Sequence, residues 1–164
     1  MTEASAHRYL IALGSNRRLP GVGRPRAVLD AAVAVLAEEG WQVEAVSRWI
    51  ESRPLGPSSR RYSNGAALIA GDLEPCEALK SLQAIEQVFG RERRGQRWRS
   101  RTLDLDIVLW SGGAWHSRDL AIPHPAFRER RFVLGPAAQI APHWRDPVTR
   151  LTVRQLSRRA EARA

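Results

Sequence analysis

The run TLDLDIVLW at residues 102–110 constrains this chain more than any other. An apolar side chain at every second position is the period of a strand, so Leu103, Leu105, Ile107 and Leu109 are expected on one face and Asp104 and Asp106 on the other. Aspartate is a poor strand former, and two of them inside an otherwise apolar strand point to a purpose rather than to an exposed amphipathic half. Two strand rises put their Cα atoms ~6.6 Å apart, close enough to share hard cations. Carboxylates that near repel unless a counter-charge joins them, and magnesium held by one or two carboxylates plus substrate phosphates is the usual solution.

The preceding residues, 91–101, carry Arg91, Arg93, Arg94, Arg97, Arg99 and Arg101 against Glu92, a net charge of +5. The guanidinium fork suits phosphate oxygens. Such a run taken alone is more simply a solvated loop, but beside the paired acids it completes one device. Metal ions on the acids would neutralise one side of a nucleotide polyphosphate, and arginines would cover the other. No glycine-rich Walker pattern is present, which excludes a P-loop enzyme. The whole chain is at +9, yet Lys80 is its sole lysine, so compositional arginine bias accounts for part of that total and the charge says little about a nucleic-acid partner.

With 164 residues, 43% of them hydrophobic, one domain spanning 1–164 is expected. The opening MTEASAHRY lacks the apolar run of a signal peptide, and no stretch approaches the ~20 apolar residues of a membrane span, so a cytoplasmic location is expected. Cys76 is the single cysteine and reads as a small buried side chain rather than a nucleophile.

Periodicity orders the elements. Residues 8–13 read as a strand closed by Gly14-Ser15-Asn16. Leu29, Val33 and Leu36 repeat at helical spacing over 25–39, with Gly40 as the stop. Residues 42–52 read as one strand, Pro54, Gly56 and Pro57 as a loop, and 62–70 as the next strand. Pro75 opens a helix whose stripe is Ala78, Leu82, Ile85 and Phe89, with Gly90 at its end. The acidic strand follows. Strand, helix, strand, strand, helix, strand is the α+β, ferredoxin-like βαββαβ arrangement: an antiparallel sheet with both helices on one face and the other face left for a ligand or an added layer. Beyond Trp110 loops, short helices around 125–138 and a terminal helix near 152–163 are expected as C-terminal additions, the last with a basic, solvated face.

The chain resembles the 6-hydroxymethyl-7,8-dihydropterin pyrophosphokinase family, through LIALGSN (10–16), SRPLGP (52–57), YSNGAAL (62–68), IEQVFGRERRGQRWRSRTLDLDIVL (85–109) and LAIPHPAFRERRFVL (120–134). The resemblance implies transfer of diphosphate from ATP to the pterin hydroxymethyl group with release of AMP, in folate biosynthesis, by a monomer with no nucleic-acid or membrane partner. It implies that Asp104 and Asp106 bind two Mg2+ ions bridging the ATP phosphates, that Arg91 and Arg101 contact those phosphates, and that Arg93 assists loop closure. Gln83, Glu86, Trp98, Ile107, His124 and Arg130 fall in its nucleotide-binding set, although a structural ion pair accounts for Glu86 equally well. Tyr62 and Phe132 match aromatics that sandwich the pterin, Asn64 the amide that reads its polar edge, and Ser52 and Leu55 flanking contacts. Tyr62 and Asn64, two residues apart, share a strand face, and an amide donates and accepts at once, as a fused ring of alternating donors and acceptors requires.

Departures from the family pattern fall at Arg99, where a small residue is usual, at Arg53, Ala121 and Pro125, and at Asp119, which stands where an arginine is expected, with Arg118 beside it as a substitute. The resemblance implies direct in-line attack on the β-phosphorus, catalysed by positioning and charge stabilisation. No residue pattern identifies a general base; Asp104 lies on the right face, but a metal-bound carboxylate is a weak one. An RNA-binding module would need aromatics on the central strands and has no use for Asp104 and Asp106. A relative that binds nucleotide without turnover would lose the acid pair or the asparagine.

Overall fold

The computed structural model describes residues 5–52, 61–90 and 102–163. In chain order the elements are β1 (His7–Ser15), α1 (Pro25–Glu38), β2 (Gln42–Val46), β3 (Ile50–Ser52), β4 (Tyr62–Gly71), α2 (Pro75–Gly90), β5 (Asp104–Trp110), β6 (Trp115–His116), β7 (Ala121–Ile122), a 3-10 turn (Phe127–Glu129), α3 (Arg131–Ile140) and α4 (Val153–Ala162). The main sheet runs β2-β4-β1-β5, with β3 also paired to β4, and every pairing is antiparallel. β1 and β2 therefore run alike with β4 between them, and β4 and β5 run alike with β1 between them. These are the two split units of the ferredoxin-like fold.

Local chemistry sets the helix ends. α1 starts at Pro25, whose missing N–H falls among the first-turn donors that have no helical acceptor. It stops at Gly40, which adopts φ +98° and closes a double hydrogen bond: Gly40 N–H donates to Ala37 O and Trp41 N–H to Leu36 O. Trp41 then packs edge-on against Tyr9 at 5.7 Å and donates through Nε1 to Ser81 of α2. The buried stripe of α2 is Ala78, Leu82, Ile85 and Phe89, as its spacing predicts. Both helices cover one sheet face, where they bury Tyr9, Ile11, Leu13, Ala67, Ile69, Leu105 and Ile107. Thr152 caps α4, accepting from Gln155 N–H while the Gln155 side chain accepts from Thr152 N–H. Among the described residues no helix is long and apolar enough to cross a membrane.

Part of the second face is covered by the C-terminal segment. Leu10, Ala66, Val108 and Leu109 pack there against Phe127, Leu134, Ala137, Val153 and Leu156. This corrects the face assigned to Leu109. The register between β1 and β5 slips between Leu10 and Ile11, so that Ile107 lies opposite Ile11 but Leu109 opposite Leu10. One extra residue, Val108, is accommodated as a bulge, and every side chain beyond it changes face. The stretch 42–52 is likewise two strands. Ser47 N–H donates to Ala66 O and Ser47 Oγ accepts from Ala66 N–H, interrupting the ladder, while the Trp49 ring fills the space above Gly65 that a Cβ would occupy at 2.3 Å. The β6–β7 hairpin appears where loops were expected; two residues per strand give no readable period.

Candidate active site

The site is laid out by strand register. Asn64 of β4 and Asp104 of β5 both lie opposite Gly14 of β1, and Ala66 and Asp106 both lie opposite Ala12. An amide and a carboxylate thus flank a floor of small residues, two inter-strand spacings apart, ~9.5 Å. A Cβ on Gly14 would stand a tight 3.2 Å from Asn64 Oδ1 and in ordinary contact, 3.9 Å, with the Tyr62 ring, so the glycine makes room for the amide. Ser52 pairs with Tyr62 across β3 and β4, and its Oγ accepts a 2.6 Å hydrogen bond from Asn64 Nδ2. That bond ties the Nδ2 end of the buried amide to β3, while Oδ1 lies toward Gly14. Half-buried Tyr62 has its phenol pushed up by burial and, secondarily, by the Asp104 charge, which places the two within electrostatic reach.

β5 is a sheet edge, and an edge strand carries backbone donors that need partners. Glu86 of α2 supplies one, accepting from Leu105 N–H at 2.9 Å between the two aspartates. For Glu86, whose role the sequence leaves open between a nucleotide contact and an ion pair, the carboxylate is an acceptor that ties α2 to the acidic strand. Gln83 lies exposed one turn earlier.

On the other side of the acids is a cleft of about 390 Å3, walled by Leu79, Ile107, Leu120 and Ala121 and edged by Asp106 and His124. Arg118 and Asp119, both exposed, also line it, as does Pro125. His124 is held by its backbone N–H on Val108 O at 3.1 Å, and its Nδ1 accepts from Ala126 N–H at 3.2 Å. The neutral ring therefore carries its proton on Nε2. Burial pushes the imidazole down, Asp106 raises it and Arg130 lowers it again, so the ring lies within electrostatic reach of both. Arg130 precedes α3, its guanidinium 5.8 Å from the Phe132 ring centroid.

The structure thus gathers Asn64 and Asp104 in one row of the sheet, with Ser52 and Tyr62 in the next row on β3 and β4, and Asp106, Ile107 and His124 around one cleft. Leu55, Arg91, Arg93, Trp98 and Arg101 lie outside the described residues. Among the described residues no three His, Cys, Asp or Glu side chains gather as a metal cage. Two oxygen-donor carboxylates beside a cleft suit a magnesium ion that takes its remaining ligands from phosphate and water. Leu79, Ser117 and Leu120 line the cleft without having been read as site residues. For Leu79 a signal was available, because it lies four residues before Gln83 on the same helix face.

A family model described as 7,8-dihydro-6-hydroxymethylpterin-pyrophosphokinase matches residues 10–142. A Synechocystis sp. protein named 2-amino-4-hydroxy-6-hydroxymethyldihydropteridine pyrophosphokinase is 40% identical over 159 residues, 96% of this chain and 78% of that one. A Pseudomonas aeruginosa protein of the same name is 39% identical over 142 residues, 85% of this chain and 84% of that one. Among solved structures, Plasmodium falciparum HPPK-DHPS with STZ-DHP superposes with a TM-score of 0.76 at 13% identity, over 99% of this chain. Another structure of that protein, with pteroate, gives 0.72 at 12%. The chain spans 45% and 44% of those two solved chains, and at such identities the likeness is one of fold.

Proposed function

The chain belongs to the 7,8-dihydro-6-hydroxymethylpterin-pyrophosphokinase family and is an ATP-dependent pyrophosphokinase of folate biosynthesis; from that premise we propose how its residues divide the work. The observation that carries the proposal is the place of the acid pair. Asp106 edges the cleft, while Asp104 shares a row of the sheet with Asn64 across Gly14. The acids therefore stand where a nucleotide in the cleft and a flat ring on the Gly14 floor would meet.

On this reading the pterin lies over Gly14, with its polar edge on Asn64 and Ser52, and with Tyr62 and Phe132 as its stacking faces. The Asn64–Ser52 bond pre-orients the amide, so recognition costs little reordering. Leu55 adds a contact from the loop. ATP occupies the cleft between Leu79, Ile107 and Leu120, with Gln83 and Trp98 as further contacts, Glu86 holding β5 in place, and its phosphates toward Asp106, His124 and Arg130. His124, neutral and protonated on Nε2, donates a hydrogen bond without adding charge. Asp104 and Asp106 would hold two magnesium ions, which when bound lower the charge of the polyphosphate and stabilise that developing in the transition state. Arg91, Arg93 and Arg101 close over the phosphates from the other side. The hydroxymethyl oxygen then attacks the β-phosphorus in line, AMP departs, and no covalent enzyme intermediate forms. Residues 1–164 act as one domain and a monomer.

The test is the product. With ATP, magnesium and 6-hydroxymethyl-7,8-dihydropterin, the protein should release one AMP per pterin diphosphate formed. Formation of ADP, or no turnover, would sink the reading.

A further inference from the structure

The Asp146 carboxylate is wholly inaccessible to solvent, with four donors on its two oxygens. Arg128 Nε donates to Oδ2 at 2.6 Å and Nη2 to Oδ1 at 2.8 Å. Val148 N–H adds a bond to Oδ1 at 3.0 Å and Thr149 Oγ1 one to Oδ2 at 2.7 Å. The backbone at Asp146 is equally committed, donating to Leu151 O and accepting from Arg150 N–H. A bidentate ion pair of this kind, its carboxylate fully buried and its guanidinium largely so, gains little net stability over apolar packing, because both charges give up most of their water. What it does supply is fixed geometry, since the planar guanidinium admits one orientation.

The position so fixed is informative. Arg128 is the middle residue of the 3-10 turn Phe127–Glu129, two residues before Arg130 and four before Phe132. Phe127 is buried on the second sheet face, and the Arg128 guanidinium lies 4.9 Å from its ring centroid. Arg130 N–H donates to Phe127 O, and Val133 and Leu134 N–H donate to Arg130 O, so the turn leads into α3 without slack. Any shift of the turn against the 145–152 loop is therefore passed to Arg130 and Phe132.

We propose that Arg128 and Asp146 are positioning residues for substrate binding: their bridge fixes the turn that sets Arg130 and Phe132 against nucleotide and pterin. The proposal rests on the reading of those two residues given above. It makes the C-terminal segment part of the binding apparatus rather than only a cover for the sheet.

The test is a double-mutant cycle with a conservative rescue. Pterin binding is measured by equilibrium fluorescence with magnesium and a non-hydrolysable ATP analogue, well below the melting midpoint of every variant. Arg128→Met should weaken binding about tenfold, since sub-ångström misplacement is enough to do so, and Arg128→Lys, which keeps the charge and one bond, should recover most of the loss. In a Phe132→Ala background the Arg128→Met change should cost almost nothing further, because it acts through Phe132. Binding by Arg128→Met within about twofold of the parent despite a lowered unfolding midpoint, or full additivity with Phe132→Ala, would overturn the pair as a positioning device. AMP release by the unaltered protein reports on the site reading alone, so the two failures are separable. If Arg128→Met does not fold, Arg128→Gln, which also removes the bidentate pair, takes its place in the cycle with the same expected and contradicting outcomes.

Discussion

Asn64 concentrates the residue-scale argument, because its amide is buried, oriented by Ser52 and separated from Asp104 by a glycine alone. A buried amide that loses its ligand-facing hydrogen bonds costs roughly 1–3 kcal/mol, so Asn64→Ala should weaken pterin binding about ten- to a hundredfold while leaving ATP-analogue binding within about twofold, as read by calorimetry with each ligand. The shared face of Asp104 and Asp106 was legible in the sequence from alternation alone, since a period of two survives as long as the strand is regular. Leu109 was not, because the bulge at Val108 depends on how β5 meets β1 and leaves no mark in the local pattern. Glu86 was ambiguous for the same reason. One of its partners is a backbone N–H on an edge strand, and a backbone donor carries no residue signature.

At the scale of elements, the strands and helices that build the floor follow from their own periods and caps, whereas what holds the 124–132 wall comes from contacts distant in the chain. The Asp146 loop is the clearest case. Burial of its carboxylate opposes ionisation, but hydrogen bonds from Arg128, Thr149 and Val148 outweigh it and hold the pKa at about 2 against an ordinary 3.8. A folded-state pKa below the unfolded value means that the unfolded chain binds the proton first, so stability is present above pH 3.8 and is lost as the pH falls toward 2. That loss should amount to ~2 kcal/mol. Urea midpoints measured from neutral pH down to this window should fall less steeply for Arg128→Met than for the parent; parallel curves would show that the bridge is not the source. The split of 42–52 into β2 and β3 escaped the sequence because it turns on Ser47 and Trp49 fitting against Ala66 and Gly65 of another strand.

Over the whole molecule, a single sheet separates two tasks. One face is given to α1 and α2 and supplies the main core, and the other is divided between the C-terminal helices and the positions that carry Ser52, Tyr62, Asn64 and Asp104. The ferredoxin-like order was readable from the alternation of periods, and the strongest motif carried the acid pair. That the C-terminal segment would cover part of the ligand face was not, because the covering is made by apolar residues that meet Leu10, Ala66, Val108 and Leu109 on three different strands. The division predicts that pterin recognition and metal-dependent chemistry can be taken apart. The measurement that tests this most directly is paired pterin binding and AMP release in Asp106→Ala. Turnover should be lost by at least about a thousandfold, the scale of removing a group that organises the charge of a phosphoryl transfer, while pterin affinity stays within about threefold of the parent. AMP release at the parent rate, or a loss of pterin binding as large as the loss of turnover, would contradict the assignment of the acid strand to the phosphates.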